Sequence, residues 1–169
     1  MSEHNLLTGG QYGLGDVRHA SLRNTIGNRN MINATITLEA GDKKDIESQT
    51  VALSYTIGGK FYVKAAIADL NVTPTDWAGD SSVQAADTKA YYALCLDTAG
   101  TVTCYKGKDE LTTTGNDAPL PGHPADLCCF CVIEVVTVAV TFTQGTDNYD
   151  ASGVTSTFHN VACLPATAP

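Results

Sequence analysis

The sequence predicts an all-β fold, an antiparallel β-sandwich or flattened barrel with an extended N-terminal arm. Apolar and polar residues alternate over Ile32–Glu39, which is the period-2 pattern of a half-buried strand. Ala90–Gly107 and Cys131–Val161 are rich in Thr, Val and aromatic residues, which favour strands. Clusters of Gly, Pro, Asp and Ser separate these stretches and indicate turns. The 169 residues fit one domain and an arm without requiring disulfides or metal.

The N-terminal arm, residues 1–31, is followed by the sandwich body, residues 32–169. The whole chain carries −8, and the arm holds three arginines against two carboxylates, so the arm carries +1 and the body −9. A terminus this rich in Gly and Asn cannot fold alone, so it either orders on a partner through arginine–carboxylate pairs or is a loose end. The residues predicted to contact a partner are Leu6, Leu7, Tyr12, Leu14, Arg18, Arg23, Arg29 and, in the body, Trp77. We find no apolar run that would serve as a signal peptide or membrane span, and we expect synthesis without export.

The first hairpin follows a charged turn at Gly41–Ser48. The alternation runs from Val51 through Tyr55 to Gly58-Gly59 and resumes at Phe61. A three-residue loop, Ile57-Gly58-Gly59, pairs Tyr55 with Phe61 and Leu53 with Val63, which keeps apolar residues on one face, whereas a two-residue turn mixes the faces. We therefore predict the three-residue loop, with Gly59 in the left-handed conformation of a bulge.

The second hairpin turns at Asp97–Thr101, for which we predict a three-residue loop with Gly100 left-handed. This register pairs Leu96 with Val102 and Leu94 with Cys104. Cys95 and Cys104 then lie on opposite faces, which argues against a disulfide between them.

Two surface excursions interrupt the strands, Asn71–Lys89 and Gly107–Asp126. The first contains Trp77, which either contacts another subunit or covers the core. Beside Asp76 and Asp80, it is also the candidate for a glycan site. In the second excursion, three prolines hold the chain extended.

The longest apolar run is Leu127–Phe142, and a last strand follows at Val154–Val161. The run is apolar on both phases at its start and on one phase later, which predicts a central strand. Glu134 interrupts it, and because a lone buried carboxylate is costly, we expect this residue to be paired or to point past an edge.

Composition and motifs exclude several functions. A net charge of −8 and a pI near 4.7 argue against nucleic-acid and anionic-membrane partners, since phosphate binding needs clustered Lys and Arg. The histidines, His4, His19, His123 and His159, belong to no catalytic motif, and the glycines of Gly9–Gly15 follow no strand that would make them a phosphate-binding loop. We predict no catalytic residues and no cofactor.

The cysteines are the weak candidates for metal binding. Cys128, Cys129 and Cys131, with His123 upstream, are the right ligand types for zinc. However, they lack paired cysteine knuckles, and adjacent cysteines on a strand point to opposite faces. Folding in a reducing compartment also disfavours disulfides. We therefore expect no metal and mostly free, buried thiols.

Tyr91–Gly107 (YYALCLDTAGTVTCYKG) and, after a Val-rich strand, Phe142–Val161 (FTQGTDNYDASGVTSTFHNV) resemble the sequence pattern of small bacteriophage virion structural proteins. The resemblance covers roughly residues 90–161 and departs from the pattern at Cys128, Cys129 and Cys131, where aliphatic or glycine residues are expected. It implies a capsid decoration or cementing protein, without catalytic residues.

Such a protein would be assembled in the host cytoplasm into the virion, and would bind the major capsid protein and its own symmetry mates as a homo-oligomer, for example a trimer. One alternative is a tail, baseplate or head-fibre component that binds another virion protein or a host glycan. The other is a thiol- or zinc-dependent enzyme that uses the cysteine cluster, which metal content would reveal.

Overall fold

The structure, a computed structural model, describes residues 29–30, 35–48, 51–76 and 82–161. Its strands are β1 (Arg29–Asn30), β2 (Thr37–Leu38), β3 (Ile46–Glu47), β4 (Leu53–Ile57), β5 (Lys60–Lys64), β6 (Pro74–Asp76), β7 (Val83–Gln84), β8 (Thr88–Leu96), β9 (Val102–Lys106), β10 (Glu110–Leu111), β11 (Cys128–Thr137), β12 (Phe142–Thr143) and β13 (Val154–Asn160). Within these ranges the helical content is one 3-10 turn, Thr112–Thr114, and no helix could span a membrane. The predicted all-β class is confirmed.

The described residues form four sheets, of which the two largest pack against each other. A six-stranded sheet has the order β13-β11-β8-β9-β6, with β10 also paired to β8, and a three-stranded sheet has the order β1-β4-β5. Neighbouring strands are antiparallel except for β6 and β9, which are parallel. The main core packs between the sheets and includes Leu53, Tyr55 and Ile57 of β4 and Tyr92, Leu94, Leu96, Ile133 and Val135 of the larger sheet. The architecture is therefore sandwich-like, and the described residues form no closed barrel.

The β8–β9 hairpin has the predicted register. Leu96 pairs with Val102 and Leu94 with Cys104, and Gly100 has a φ of 81°. The Asp97 side chain stabilises the turn, because its Oδ1 accepts the N–H groups of Ala99 and Thr101, each at 2.8 Å. Cys95 and Cys104 accordingly lie on opposite faces of the sheet.

The predicted register of the β4–β5 hairpin is wrong. Gly58 and Gly59 have φ values of 57° and 74°, which is the requirement of a two-residue type I′ turn, and Tyr55 pairs with Tyr62. The twist of this turn matches the twist of the strands, and Tyr62 stacks on Tyr55 with 5.6 Å between ring centroids. Phe61 is thereby placed on the opposite face.

β11 is central as predicted, between β8 and β13, and is buried on both faces up to Ile133. Glu134 is paired, with 3.3 Å from its Oε1 to Lys89 Nζ and 3.5 Å from its Oε2 to His159 Nε2. The apolar run nevertheless breaks after Thr137, and Phe142 belongs to β12, which pairs with β7.

Three predicted irregular segments contain strands, and one of them, Gly107–Asp126, includes β10. Gly41–Ser48 includes β3, which pairs with β2 and buries Ile46 in the core. Asn71–Lys89 includes β6, β7 and the start of β8. The side chain of its buried Gln84 donates from Nε2 to Val135 O at 3.0 Å, so this polar group is hydrogen-bonded within the core. These short strands pair with distant segments, which local sequence patterns do not reveal.

Candidate functional site

The predicted partner-contact residues lie almost entirely outside the described part of the chain. These are Leu6, Leu7, Tyr12, Leu14, Arg18, Arg23 and Trp77, and the aspartate Asp80 of the glycan candidate is outside it as well. Arg29 is the exception, since its backbone pairs with Thr56 in the β1–β4 ladder. The end of the predicted arm therefore joins the smaller sheet.

The outer face of β5 exposes two large apolar side chains. Phe61 is 60% exposed and Val63 is 61% exposed. The type I′ turn causes this exposure, because the β4–β5 register that it sets places Phe61 and Val63 on the face opposite to Tyr62. Lys60 and Lys64 lie at the two ends of β5, on the same face as Tyr62, and β5 is an edge strand of the three-stranded sheet. Edge lysines oppose unselective strand pairing, so the face is suited to a specific protein contact.

A second surface is an open groove of about 360 Å³ on the outer face of the six-stranded sheet. Its floor includes Val132, and its rim includes Leu120 of the proline-containing loop. Asp117 on the rim accepts hydrogen bonds from Lys89 Nζ and Tyr91 Oη, each at 3.0 Å. The bond from Lys89 and then that from Tyr91 hold the pKa of Asp117 below its ordinary value. The groove thus combines apolar walls with a fixed carboxylate.

The cysteines divide between the two faces of the six-stranded sheet. Cys104, Cys128 and Cys131 are thiols in the main core, which confirms the expected buried thiols at these positions. Burial raises the pKa of Cys131 to about 12, and it also raises that of Cys104, whose thiol lies 2.8 Å from Gln144 Oε1. Protonated thiols are poor nucleophiles and poor ligands. Cys129 lies on the other face of the sheet, so the weak zinc candidates Cys128, Cys129 and Cys131 do not share one site.

A different set of residues meets on the outer face. Cys95 of β8 lies opposite Cys129 of β11, and the two form a disulfide that the sequence analysis did not find. His123, from the proline-containing loop, joins them, and one potential ligand atom from each residue lies within 4.8 Å of the others. All three residues are buried, beside Ala93 and Leu127.

The position of His123 depends on how closely its loop approaches the sheet. Gly107 lies at the end of β9, and a Cβ there would be 2.7 Å from Pro119 O, so only glycine allows this approach. The His123 ring is oriented by a 2.9 Å contact between Nδ1 and Pro124 O. The three prolines indicated an extended loop, but they gave no signal that it covers the two cysteines.

Comparisons with protein families, with curated proteins and with solved structures find no match to this chain. The features that bear on function are therefore the two outer surfaces, the Cys95–Cys129–His123 cluster and the sequence resemblance.

Proposed function

We propose that the chain is a structural protein of a bacteriophage virion, a capsid decoration or cementing protein that binds the major capsid protein and other copies of itself. The resemblance at Tyr91–Gly107 and Phe142–Val161 motivates this proposal. The first segment supplies most of β8 and all of β9, and the second supplies β12 and β13. Because β11 pairs with both β8 and β13, strands from both segments belong to one sheet, although β12 pairs with β7 in another. That coherence supports treating them as parts of one pattern.

The observation that carries the proposal is the exposed apolar face of β5. Fully burying a side chain such as Phe or Val is favourable by about 1.5–3 kcal/mol, so Phe61 and Val63 offer a partner a compact contact. A stable interface needs roughly 800 Å² on each side, more than two side chains provide. Residues 1–28 of the arm precede β1, which belongs to the same sheet as β5, and in our proposal they supply the remaining contact.

Attachment is tested by co-sedimentation of the purified protein with heads assembled from the major capsid protein of the encoding phage. Full-length protein should sediment with heads. The double variant Phe61→Ser with Val63→Thr should lose attachment while keeping its thermal unfolding curve. Val138→Thr is the matched control, because Val138 is 61% exposed, like Val63, but lies beyond β11. Failure of the full-length protein to bind heads refutes the decoration role.

The arm is tested separately by deleting residues 2–28, which retains β1. We expect the shortened protein to fold and to lose attachment to heads. Attachment equal to that of the full-length chain would refute the contribution of the arm. Oligomer number follows from native mass spectrometry of the full-length protein, where a closed homo-oligomer is expected and a monomer at all concentrations would contradict self-association.

The tail, baseplate or head-fibre alternative has one observation in its favour. In the groove, Tyr91 lies beside Asp117, which is the pairing of an aromatic ring and a carboxylate that suits a sugar. Immunogold labelling of virions distinguishes the two locations, since decoration places label over the head and the alternative places it on the tail or fibres. Glycan-array binding that is lost in Tyr91→Ala would support the alternative.

A further inference from the structure

The outer-face cluster of Cys95, Cys129 and His123 has the composition of a metal site. We propose that the reduced protein binds a zinc ion through the two sulfurs and His123, and that the Cys95–Cys129 disulfide is the metal-free, oxidised form of the same site. This inference is independent of the virion role, because it concerns only the chemistry of three buried side chains.

The donors converge from three separate parts of the chain. Cys95 and Cys129 face each other across β8 and β11, and His123 reaches them from the loop. In a tetrahedral zinc site, Zn–S bonds of about 2.3 Å and Zn–N bonds of about 2.0–2.1 Å place the ligand atoms roughly 3.5–3.8 Å apart. The three atoms already lie within 4.8 Å of one another, so a shift of about 1 Å in the loop and separation of the sulfurs on reduction would complete the geometry.

The histidine is the observation that a disulfide alone does not explain. A disulfide needs two residues, yet a third residue of ligand type is buried against it, with only 2% of its surface exposed. The Nδ1–H of His123 donates to Pro124 O at 2.9 Å, because a carbonyl oxygen can only accept, and this bond fixes the orientation of the ring. The same bond to a backbone carbonyl orients most metal-bound histidines.

The surroundings also suit a buried ion. Two thiolates neutralise the charge of Zn²⁺, so the occupied site places no net charge among Ala93 and Leu127. Zinc completes its tetrahedron with water when the protein supplies three ligands.

The two forms interconvert by a balanced exchange. Two equivalents of a thiol reductant such as glutathione supply two electrons and two protons, which convert the disulfide to two thiols and the reductant to its own disulfide. Zn²⁺ then displaces the two thiol protons. An oxidising disulfide reverses both steps and releases the ion. A chain made in a reducing compartment would therefore carry zinc and would close the disulfide after release into an oxidising medium.

The test uses full-length protein with zinc as the probe and needs no capsid. Protein reduced with a phosphine under anaerobic conditions is mixed with Zn²⁺, desalted and measured by native mass spectrometry and elemental analysis. We expect one zinc per chain after reduction and none in protein oxidised with a disulfide reagent. Cobalt substitution should add thiolate-to-cobalt charge-transfer absorption, which reports sulfur ligands directly.

Variants identify the ligands. Cys95→Ser, Cys129→Ser and His123→Gln should each weaken zinc binding by at least about 100-fold, since loss of an outer-shell partner alone commonly costs 10–100-fold. Cys128→Ala and Cys131→Ala are the matched controls, because they remove thiols on the inner face of the same strand, and they should retain zinc.

Three outcomes would overturn the proposal. They are a reduced wild-type protein that binds no zinc, zinc binding that survives His123→Gln undiminished, and zinc lost only in the inner-face variants. Circular dichroism of each variant confirms folding, and the wild-type measurement remains decisive if a variant fails to fold.

Discussion

Replacing Asp109 by alanine tests whether the buried Lys106 ammonium is held by its ion pair. Lys106 ends β9, and its side chain is 3% exposed, whereas that of Asp109 is 22% exposed. The ammonium is paired with Asp109 Oδ1 and donates to Gly107 O at 3.2 Å. The other carboxylate oxygen, Oδ2, accepts the N–H of Ala85 at 2.8 Å. Asp109 therefore joins the end of β9 to the segment that precedes β8.

The expected loss of stability follows from the burial of the cation. Removing one partner of a buried ion pair costs about 3–5 kcal/mol, because it leaves a desolvated charge. The partial exposure of Asp109 lets water approach, so we expect the lower end, about 3 kcal/mol. For a domain of this size, 1 kcal/mol shifts the melting temperature by roughly 2–4 °C, so Asp109→Ala should melt about 6–12 °C lower.

Urea unfolding followed by circular dichroism measures this difference, with the Cys95–Cys129 disulfide kept oxidised throughout. Asp42→Ala is the control, because Asp42 pairs with Lys44 at 3.0 Å while their side chains are 45% and 37% exposed. An exposed pair contributes less than about 1 kcal/mol. The double variant Lys106→Met with Asp109→Leu should recover most of the loss, since it removes the charge together with its partner. If Asp109→Ala and Asp42→Ala lose the same small amount, the ammonium of Lys106 is hydrated and the reasoning is refuted.

Three further substitutions test local features by the same unfolding measurement. Gly107→Ala should destabilise by about 1–3 kcal/mol, since its Cβ would force Pro119 and the loop away from the sheet, and an unchanged midpoint would show that the loop adapts freely. Asp97→Ala should cost about 1–2 kcal/mol through two lost hydrogen bonds. Burial opposes ionisation of Asp97, but hydrogen bonds from N–H groups, chiefly that of Thr101 and then that of Ala99, outweigh it and hold the pKa of Asp97 below 3.8. The loss of unfolding free energy in Asp97→Ala should therefore be complete above about pH 4 and should vanish as the pH falls below that range. A loss that does not depend on pH would contradict this. Tyr149→Phe should be neutral or stabilising by up to about 1 kcal/mol, because the Tyr149 hydroxyl is buried without a hydrogen-bond partner among the described residues, and a clear loss would reveal a partner.

Local patterns predicted the features whose determinants are close in sequence. The β8–β9 hairpin followed from Asp97 and Gly100, which fix the turn with their own backbone and side-chain preferences. The central position of β11 followed from apolar residues on both phases. The cost of a lone buried carboxylate left two arrangements for Glu134, paired or pointing past an edge, and the structure has the paired one.

The features that sequence reasoning missed depend on distant parts of the chain. In the first hairpin, keeping apolar residues on one face favoured the wrong register, because Phe61 and Val63 are in fact exposed. The pairing of β6 with β9 and of β7 with β12 joins short strands from different regions, and no local periodicity marks them. The exposed face of β5 could not be predicted without the turn type, because the turn determines which side chains of β5 face outward.

The most consequential missed feature is a single extra residue in β11. Cys131 lies opposite Leu94, and a regular ladder continued from that pair would place Phe130 opposite Cys95. A bulge between Cys129 and Cys131 shifts the register, so that Cys129 faces Cys95 while Phe130 packs in the main core.

This shift decides the chemistry of the cysteines. Cys128 and Cys131 remain on the inner face, where burial keeps the Cys131 thiol protonated, and Cys129 alone turns to the outer face beside His123. Oxidation or metal binding at the outer pair can then proceed without disturbing the packed thiols of the core. β11 thus supplies apolar packing through Cys128 and Cys131 on one side and one half of the Cys95–Cys129 disulfide on the other, and the bulge separates the two roles.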